Sequence, residues 1–224
     1  MSEKDPRTVT LKGVRLSFTD GIAEKKLRKG AEPGEKPKHN WNIILEAGSK
    51  HNAENLAKVE AAQEAASMLL WKDPKRYLTI AEDNPKRVAF KKGERFKSKE
   101  GKIYAGYEGN HAMGVSGPGG GDRRPLMRDK YKRPVDEKDI RDVFYSGVTA
   151  DVIVSFFATE KGGSPGVFAS GEVIRSHQIG ERMAGGYAFD ESDLDDMEDL
   201  EVDDDDLGVG TTSASDEGTV DLLA

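Results

Sequence analysis

Phe144-Tyr-Ser-Gly-Val-Thr-Ala-Asp-Val-Ile-Val-Ser-Phe-Phe-Ala158 and Gly166-Val-Phe-Ala-Ser-Gly-Glu-Val-Ile-Arg-Ser-His177 form the stretch on which the fold turns. Both runs are rich in β-branched and aromatic residues, which suit a pleated, half-buried surface. Lys161-Gly162-Gly163-Ser164-Pro165 lies between them and reads as a hairpin loop. The spacing predicts two long paired strands, over Val143–Ala158 and Gly166–His177.

Two more strands are expected near the start of the chain. In Thr8-Val-Thr-Leu-Lys-Gly-Val-Arg-Leu-Ser-Phe18, Val9 and Leu11 alternate with polar residues. After Gly13 the apolar set moves to Val14, Leu16 and Phe18, and a β-bulge at Gly13 accounts for the slip. Asp20-Gly21 reads as a turn. His39-Asn-Trp-Asn-Ile-Ile-Leu-Glu46 is the next strand, with Trp41, Ile43 and Leu45 on one face. One helix is expected, over Asn52–Trp71, because Leu56, Val59, Ala62, Ala66, Leu69 and Leu70 fall near helical spacing. Asp73-Pro74 stops it, since proline pushes the preceding residue out of the α region. In Ile103–Val115, period two places Ile103, Ala105, Tyr107, Gly109, His111, Met113 and Val115 on one side of a strand.

Basic segments separate these elements. Glu24–Lys38 carries six bases to three acids, with two prolines and two glycines, and reads as a mobile basic arm or a solvated loop. Its Gly30–Lys36 part is no phosphate-binding loop, because the closing Gly-Lys-Ser/Thr is missing. Lys86–Lys102 holds eight bases and two acids around Phe90 and Phe96. Cations grip phosphates and aromatic faces stack on bases, so this mixture suits sequence-tolerant binding of a single strand. Arg123-Arg-Pro-Leu-Met-Arg-Asp-Lys-Tyr-Lys-Arg-Pro134 is basic again.

Charge is split by block. Fifteen of the 41 acids and none of the 34 bases follow Phe189, so residues 1–189 carry +8 and residues 190–224 carry −15. A basic body suits a polyanion, and an acidic tail on the same chain would compete with it. The tail's low hydrophobicity and high charge predict disorder. Cysteine is absent, which excludes disulfides and thiolate metal sites. No apolar run reaches the roughly 18 residues of a membrane span, and the opening Met-Ser-Glu-Lys-Asp-Pro does not read as a signal peptide. The cytoplasm, of a cell or an infected host, is the expected location.

Several residues resemble a known family. Gly106-Tyr107-x-x-Asn110-x-x-Met113, Arg133-Pro134-Val135-Asp136, Phe144-Tyr145-Ser146-Gly147 and Gly166-Val167, with a glycine-rich close before Phe189-Asp190, resemble the phage single-stranded DNA-binding proteins. The resemblance covers about residues 100–190 well. It implies an OB-fold barrel with an acidic C-terminal tail, similar to the replication proteins of short-tailed phages. Such proteins coat exposed single strands, assist annealing and contact the replisome through the tail. Tails of that kind usually end in an aromatic residue, whereas this one ends Leu222-Leu223-Ala224.

The combined expectation is an all-β protein. It is an OB-fold-like barrel of five or six strands with one inserted α-helix, long basic loops and a disordered acidic tail. Residues 1–189 would form the DNA-binding domain and residues 190–224 the tail. The expected function is sequence-independent binding of single-stranded DNA in phage replication or recombination. Phe90, Phe96, Tyr107, His111 and Tyr131 are expected to stack on bases. Lys91, Lys92, Arg95, Arg123, Arg124, Lys132 and Arg133 are expected to meet phosphates. The tail would recruit replication or recombination proteins. No catalytic residue, metal, cofactor or membrane partner is expected. Two rival readings are a tail-centred protein-interaction hub and a metal-dependent nuclease. The nuclease needs carboxylates converging on a metal, and most acid clusters here lie in the tail. The sequence leaves open DNA against RNA, and whether the chain forms a homodimer or a higher assembly on DNA.

Overall fold

Gly13 shapes the first strand, β1 (Thr8–Ser17). It sits at φ +58°, and the pairing register of β1 jumps between Leu11 and Val14. Leu11, Val14 and Leu16 therefore all point inward and are fully buried. A bulge leaves main-chain groups without ladder partners. Asn55 supplies them: its Oδ1 accepts from the Lys12 N–H at 3.0 Å and its Nδ2 donates to the Lys12 carbonyl at 2.8 Å. The computed structural model describes residues 4–27, 34–161 and 164–183.

A short helix, α1 (Asp20–Ala23), stands where a simple turn was expected. It leads to β2 (Asn40–Leu45), which buries Trp41, Ile43 and Leu45 as its alternation requires. Then come α2 (Asn52–Trp71) and α3 (Arg76–Asp83), followed by the short strand β3 (Phe90–Lys92). After these lie β4 (His111–Ser116), β5 (Leu126–Arg128) and α4 (Ile140–Val143). The long hairpin of β6 (Thr149–Thr159) and β7 (Gly166–Ser176) completes the order.

The sheet runs β3-β4-β2-β1-β6-β7-β5, and a parallel contact of β4 with β7, Ser116 to Ser170, closes it. Five strands, β1, β2, β4, β6 and β7, thus form a barrel with OB connectivity. β5 is also parallel to β7, so β4 and β5 act as one barrel strand interrupted by the loop between them. Trp41, Phe144, Phe156, Leu11, Leu16, Ile43 and Met113 fill the interior. Gly171 makes room for the tryptophan, because a Cβ there would lie 2.3 Å from Trp41 Cζ2.

Three expectations need correction. The inserted helix α2 is followed by a second, α3. The apolar stripe of α2 is only partly used: Val59, Ala62 and Ala66 are buried against the barrel, while Leu69 and Leu70 are 57% and 44% exposed. Asn55, Gln63 and Ser67 are buried in their place, and Asn55 does so to mend the bulge. The strand expected over Ile103–Val115 begins only at His111. Gly106 and Gly109 take φ of +78° and +73° and fold the preceding residues into turns. The acidic stretch 190–224 lies outside the described residues. Among those described, no helix is long and apolar enough to cross a membrane.

Candidate nucleic-acid interface

In OB barrels the outer face of the second and third strands, with the loops beside it, takes up oligonucleotides. Here that face belongs to β2 and β4. Ile44 and Ala112 point outward from it and pair across the two strands. A lid of aromatic residues covers them: Tyr107 is fully buried, with Phe96, Ile103, Tyr104 and Met183 around it. The Tyr107 hydroxyl accepts from Asn42 Nδ2 at 2.8 Å and also bonds the Ser17 side chain. Burial pushes its phenol pKa up, against the pull of those two hydrogen bonds.

Two rings top this lid. Phe18 is 46% exposed and meets Tyr104 edge-on, with centroids 4.9 Å apart. Phe18 also has φ +54°, a region that bulky residues rarely enter. Beside the rings, Lys91 holds its ammonium 5.1 Å over the Phe96 ring and donates to the Pro85 carbonyl. Burial lowers the Lys91 pKa, and the neighbouring cations Arg95 and Lys86 lower it further.

The twelve residues expected to meet DNA fall into separate groups. Lys91, Phe96 and Tyr107 share the outer face of β2 and β4. Tyr107, however, is a core residue of that lid, so its expected stacking on a base is corrected. The alternation placed Tyr107 and His111 on one side, and the turn at Gly106–Gly109 breaks it. His111 stacks instead on Phe90, 5.4 Å away and 17° from parallel. Phe90, Lys91, Lys92 and Arg95 line a small cavity of about 180 Å³ with Ala81, Pro85 and Val88. Arg124 is engaged structurally: it donates to the Ala23 carbonyl and pairs with Glu137 at 2.9 Å. The exposed Arg123 follows the tight Gly117–Gly121 loop, its N–H bonded to the Pro118 carbonyl. Tyr131, Lys132 and Arg133 stand in an exposed turn after β5. Tyr131 is 64% exposed and lies between two cations, Lys130 at 5.1 Å and Arg133 at 4.8 Å. Arg133 is in turn paired with Asp129 at 2.8 Å.

A family model described as Enterobacter phage Enc34, ssDNA-binding protein, matches residues 7–207. The chain belongs to this family. Among solved structures, it is similar to the single-stranded DNA-binding protein of bacteriophage Enc34 in complex with ssDNA. The identity is 13% and the TM-score 0.62, over 82% of this chain and 97% of that one. A C-terminal truncation of the Enc34 protein gives 14% identity and a TM-score of 0.60, over 81% of this chain and 95% of that one. Likeness at this identity establishes the shared fold. No curated protein matches the sequence.

The motifs that carried the family resemblance build the scaffold of this face. Asn110 accepts the Ala47 N–H at 2.7 Å and donates to the Gly106 carbonyl at 3.0 Å, fixing the turn under Tyr107. Ser146 bonds Thr19, and the Gly147 N–H donates to the Leu16 carbonyl at 2.8 Å. The same motif anchors a strap, residues 178–183: Tyr145 donates to the Gly180 carbonyl, and the Ser146 carbonyl accepts the Met183 N–H. Met183 then packs on the aromatic lid. Phe18 and Tyr104, the two rings on top of this face, were not singled out in the sequence. Alternation assigned Phe18 to the core face after Leu16, and the left-handed twist at Phe18 turns it out. Tyr104 stood next to the face set by period two, and its only signal was a second tyrosine three residues before Tyr107.

Proposed function

We propose that this chain binds single-stranded DNA without regard to sequence and serves phage replication or recombination in the host cytoplasm. Family membership over residues 7–207 supports this reading most directly. Residues 1–189 are the binding body and residues 190–224 a tail that competes with DNA and recruits replication or recombination proteins. Bases stack on Phe18 and Tyr104, and Lys91, Lys92, Arg95 and Phe96 flank them. Base–aromatic stacking tolerates any sequence because every base has a π-face. Tyr131, between Lys130 and Arg133, is a second stacking point, with Lys132, Arg123 and Arg124 adding positive charge.

The test is fluorescence anisotropy with a labelled poly-dT strand, comparing the native chain with Phe18→Ala/Tyr104→Ala. The double variant should lose roughly 1–3 kcal/mol per stacked base and keep its unfolding midpoint. Unchanged affinity would remove the stacking face from β2 and β4. Failure of the native chain to bind any single strand would remove the function. Labelled strands incubated with the protein and magnesium should be recovered intact, and their cleavage would favour the nuclease reading.

A further inference from the structure

A cavity of about 800 Å³ lies beside the β1 bulge. Lys12, Lys50, His51 and His177 line it, with two carboxylates, Glu46 and Asp151. Both carboxylates are already engaged. Asp151 accepts the Gly13 N–H at 3.0 Å, lies 3.0 Å from His177 Nε2 and faces Arg175 at 3.8 Å. Glu46 is paired with Arg15 at 3.2 Å. The ammonium groups of Lys12 and Lys50, by contrast, make no ion pair within 4 Å among the described residues; Lys12 feels the charge of Glu54, but that carboxylate is already paired with Lys58 at 2.6 Å. A concave site with its carboxylates neutralised and two ammonium groups left over attracts an anion. Its volume falls in the range of sites that hold a small molecule or a nucleotide unit.

The cavity also adjoins the aromatic face. Asn110 lines it while its amide holds the turn that carries Tyr107. Ile179 lines it at the start of the strap that ends on the lid at Met183. Arg15 lies between them, bonded to Glu46 at the cavity wall and to the Glu181 carbonyl in the strap. On the other side Arg175 joins Asp151 to the Lys130 carbonyl in the Tyr131 turn.

We infer that this cavity is a second DNA subsite, in which Lys12 and Lys50 hold a phosphodiester of a strand that has left the aromatic face. The inference rests on the proposed single-strand binding. It predicts that longer strands gain affinity by reaching the cavity.

The test is a dT length series titrated against the native chain, Lys12→Ala/Lys50→Ala and Phe18→Ala/Tyr104→Ala. The lysine variant should match the native chain on the shortest strands that bind. On longer ones it should bind more weakly, with a salt slope shallower by about 0.7 for the one phosphate no longer held. The aromatic variant should lose affinity at every length. Equal affinity and slope for the lysine variant at all lengths, while the aromatic variant weakens, would overturn the subsite and leave the proposed function standing. If no chain binds any strand, the function itself fails. A chain truncated after Phe189 separates DNA from the acidic tail as occupant. If the lysine substitutions lose their effect on that truncated chain, the cavity holds tail carboxylates and the DNA subsite is overturned.

Discussion

Phe18 is held at φ +54° with its ring half in solvent. The left-handed region costs an L-residue roughly 1–2 kcal/mol, and strained residues gather where function needs a side chain in a set place. Glycine takes that backbone shape freely. Phe18→Gly should therefore be more stable than Phe18→Ala by about 1 kcal/mol in urea unfolding, while the two bind single strands equally weakly. Tyr107 behaves in the opposite way. Tyr107→Ala empties a buried site and should cost about 3–5 kcal/mol, with binding lost only as the folded fraction falls. The Tyr107 phenol also gives a pH signature. Its pKa is raised by burial, so above about pH 10 the unfolded chain releases a proton that the folded chain keeps. Stability then falls as pH rises through that window. Lys91 works the other way: its lowered pKa lets the unfolded chain bind more protons below about pH 10.4, so stability rises with pH there. Urea midpoints against pH for the native chain and Tyr107→Phe isolate the Tyr107 contribution, and the variant should show a shallower alkaline decline, with the part due to Tyr77, whose phenol pKa burial also raises, remaining.

At the scale of elements, α2 shows what a burial pattern can hide. Ser67 is fully buried and its Oγ has no hydrogen-bond partner among the described residues. Ser67→Ala removes an unsatisfied hydroxyl and improves helix propensity, so it should stabilise by about 1 kcal/mol, read as a higher urea midpoint at unchanged m. A loss of stability would show that the hydroxyl is satisfied after all. The apolar spacing of α2 marked a helix with the right ends, because periodicity and Asp73-Pro74 are local signals. Which residues of α2 face the barrel was not legible, since Asn55 is drawn inward by main-chain groups freed at a bulge 43 residues earlier. The same contrast runs through the strands. The β6–β7 hairpin and the Gly13 bulge depend on neighbours in sequence and could be read directly. The start of β4 could not, because Gly106 and Gly109 fit an alternating strand pattern as easily as a turn. That one misreading gave Tyr107 an open ring, where the structure buries it, and overlooked Tyr104. The basic segments around Phe90 and Phe96 were legible as a cluster of charge, but their facing was not: β3 sends Lys91 to one side of the sheet and Phe90 to the other.

For the whole molecule the decisive feature is the opposition of +8 in residues 1–189 to −15 in residues 190–224. If about five phosphates are contacted, log K should fall with log salt at a slope of about −3.5 for a single strand. A binding constant flat from low to physiological salt would exclude an electrostatic grip. The strap adds a geometric reason for the tail to matter. Residues 178–183 cross to the aromatic lid, and Met183, the last described residue, packs with Tyr104 and Tyr107 beside the proposed stacking face. A tethered tail can reach an effective concentration on the order of millimolar at such a site, and its carboxylates would seek the same cations as phosphates do. Leu194, Met197, Leu200, Val202 and Leu207 are spaced among the acids, which suits docking on a protein partner once DNA has displaced the tail. A chain truncated after Phe189 keeps the strap and loses the acids. It should bind poly-dT more tightly than the full chain at low salt. The gain should shrink as salt rises, because screening weakens the tail's hold as well as the DNA's. Pull-down of replication or recombination proteins should be lost with it. Equal affinity of the two chains at low salt would leave the tail as a tether or solubiliser, with the barrel alone setting the strength of binding.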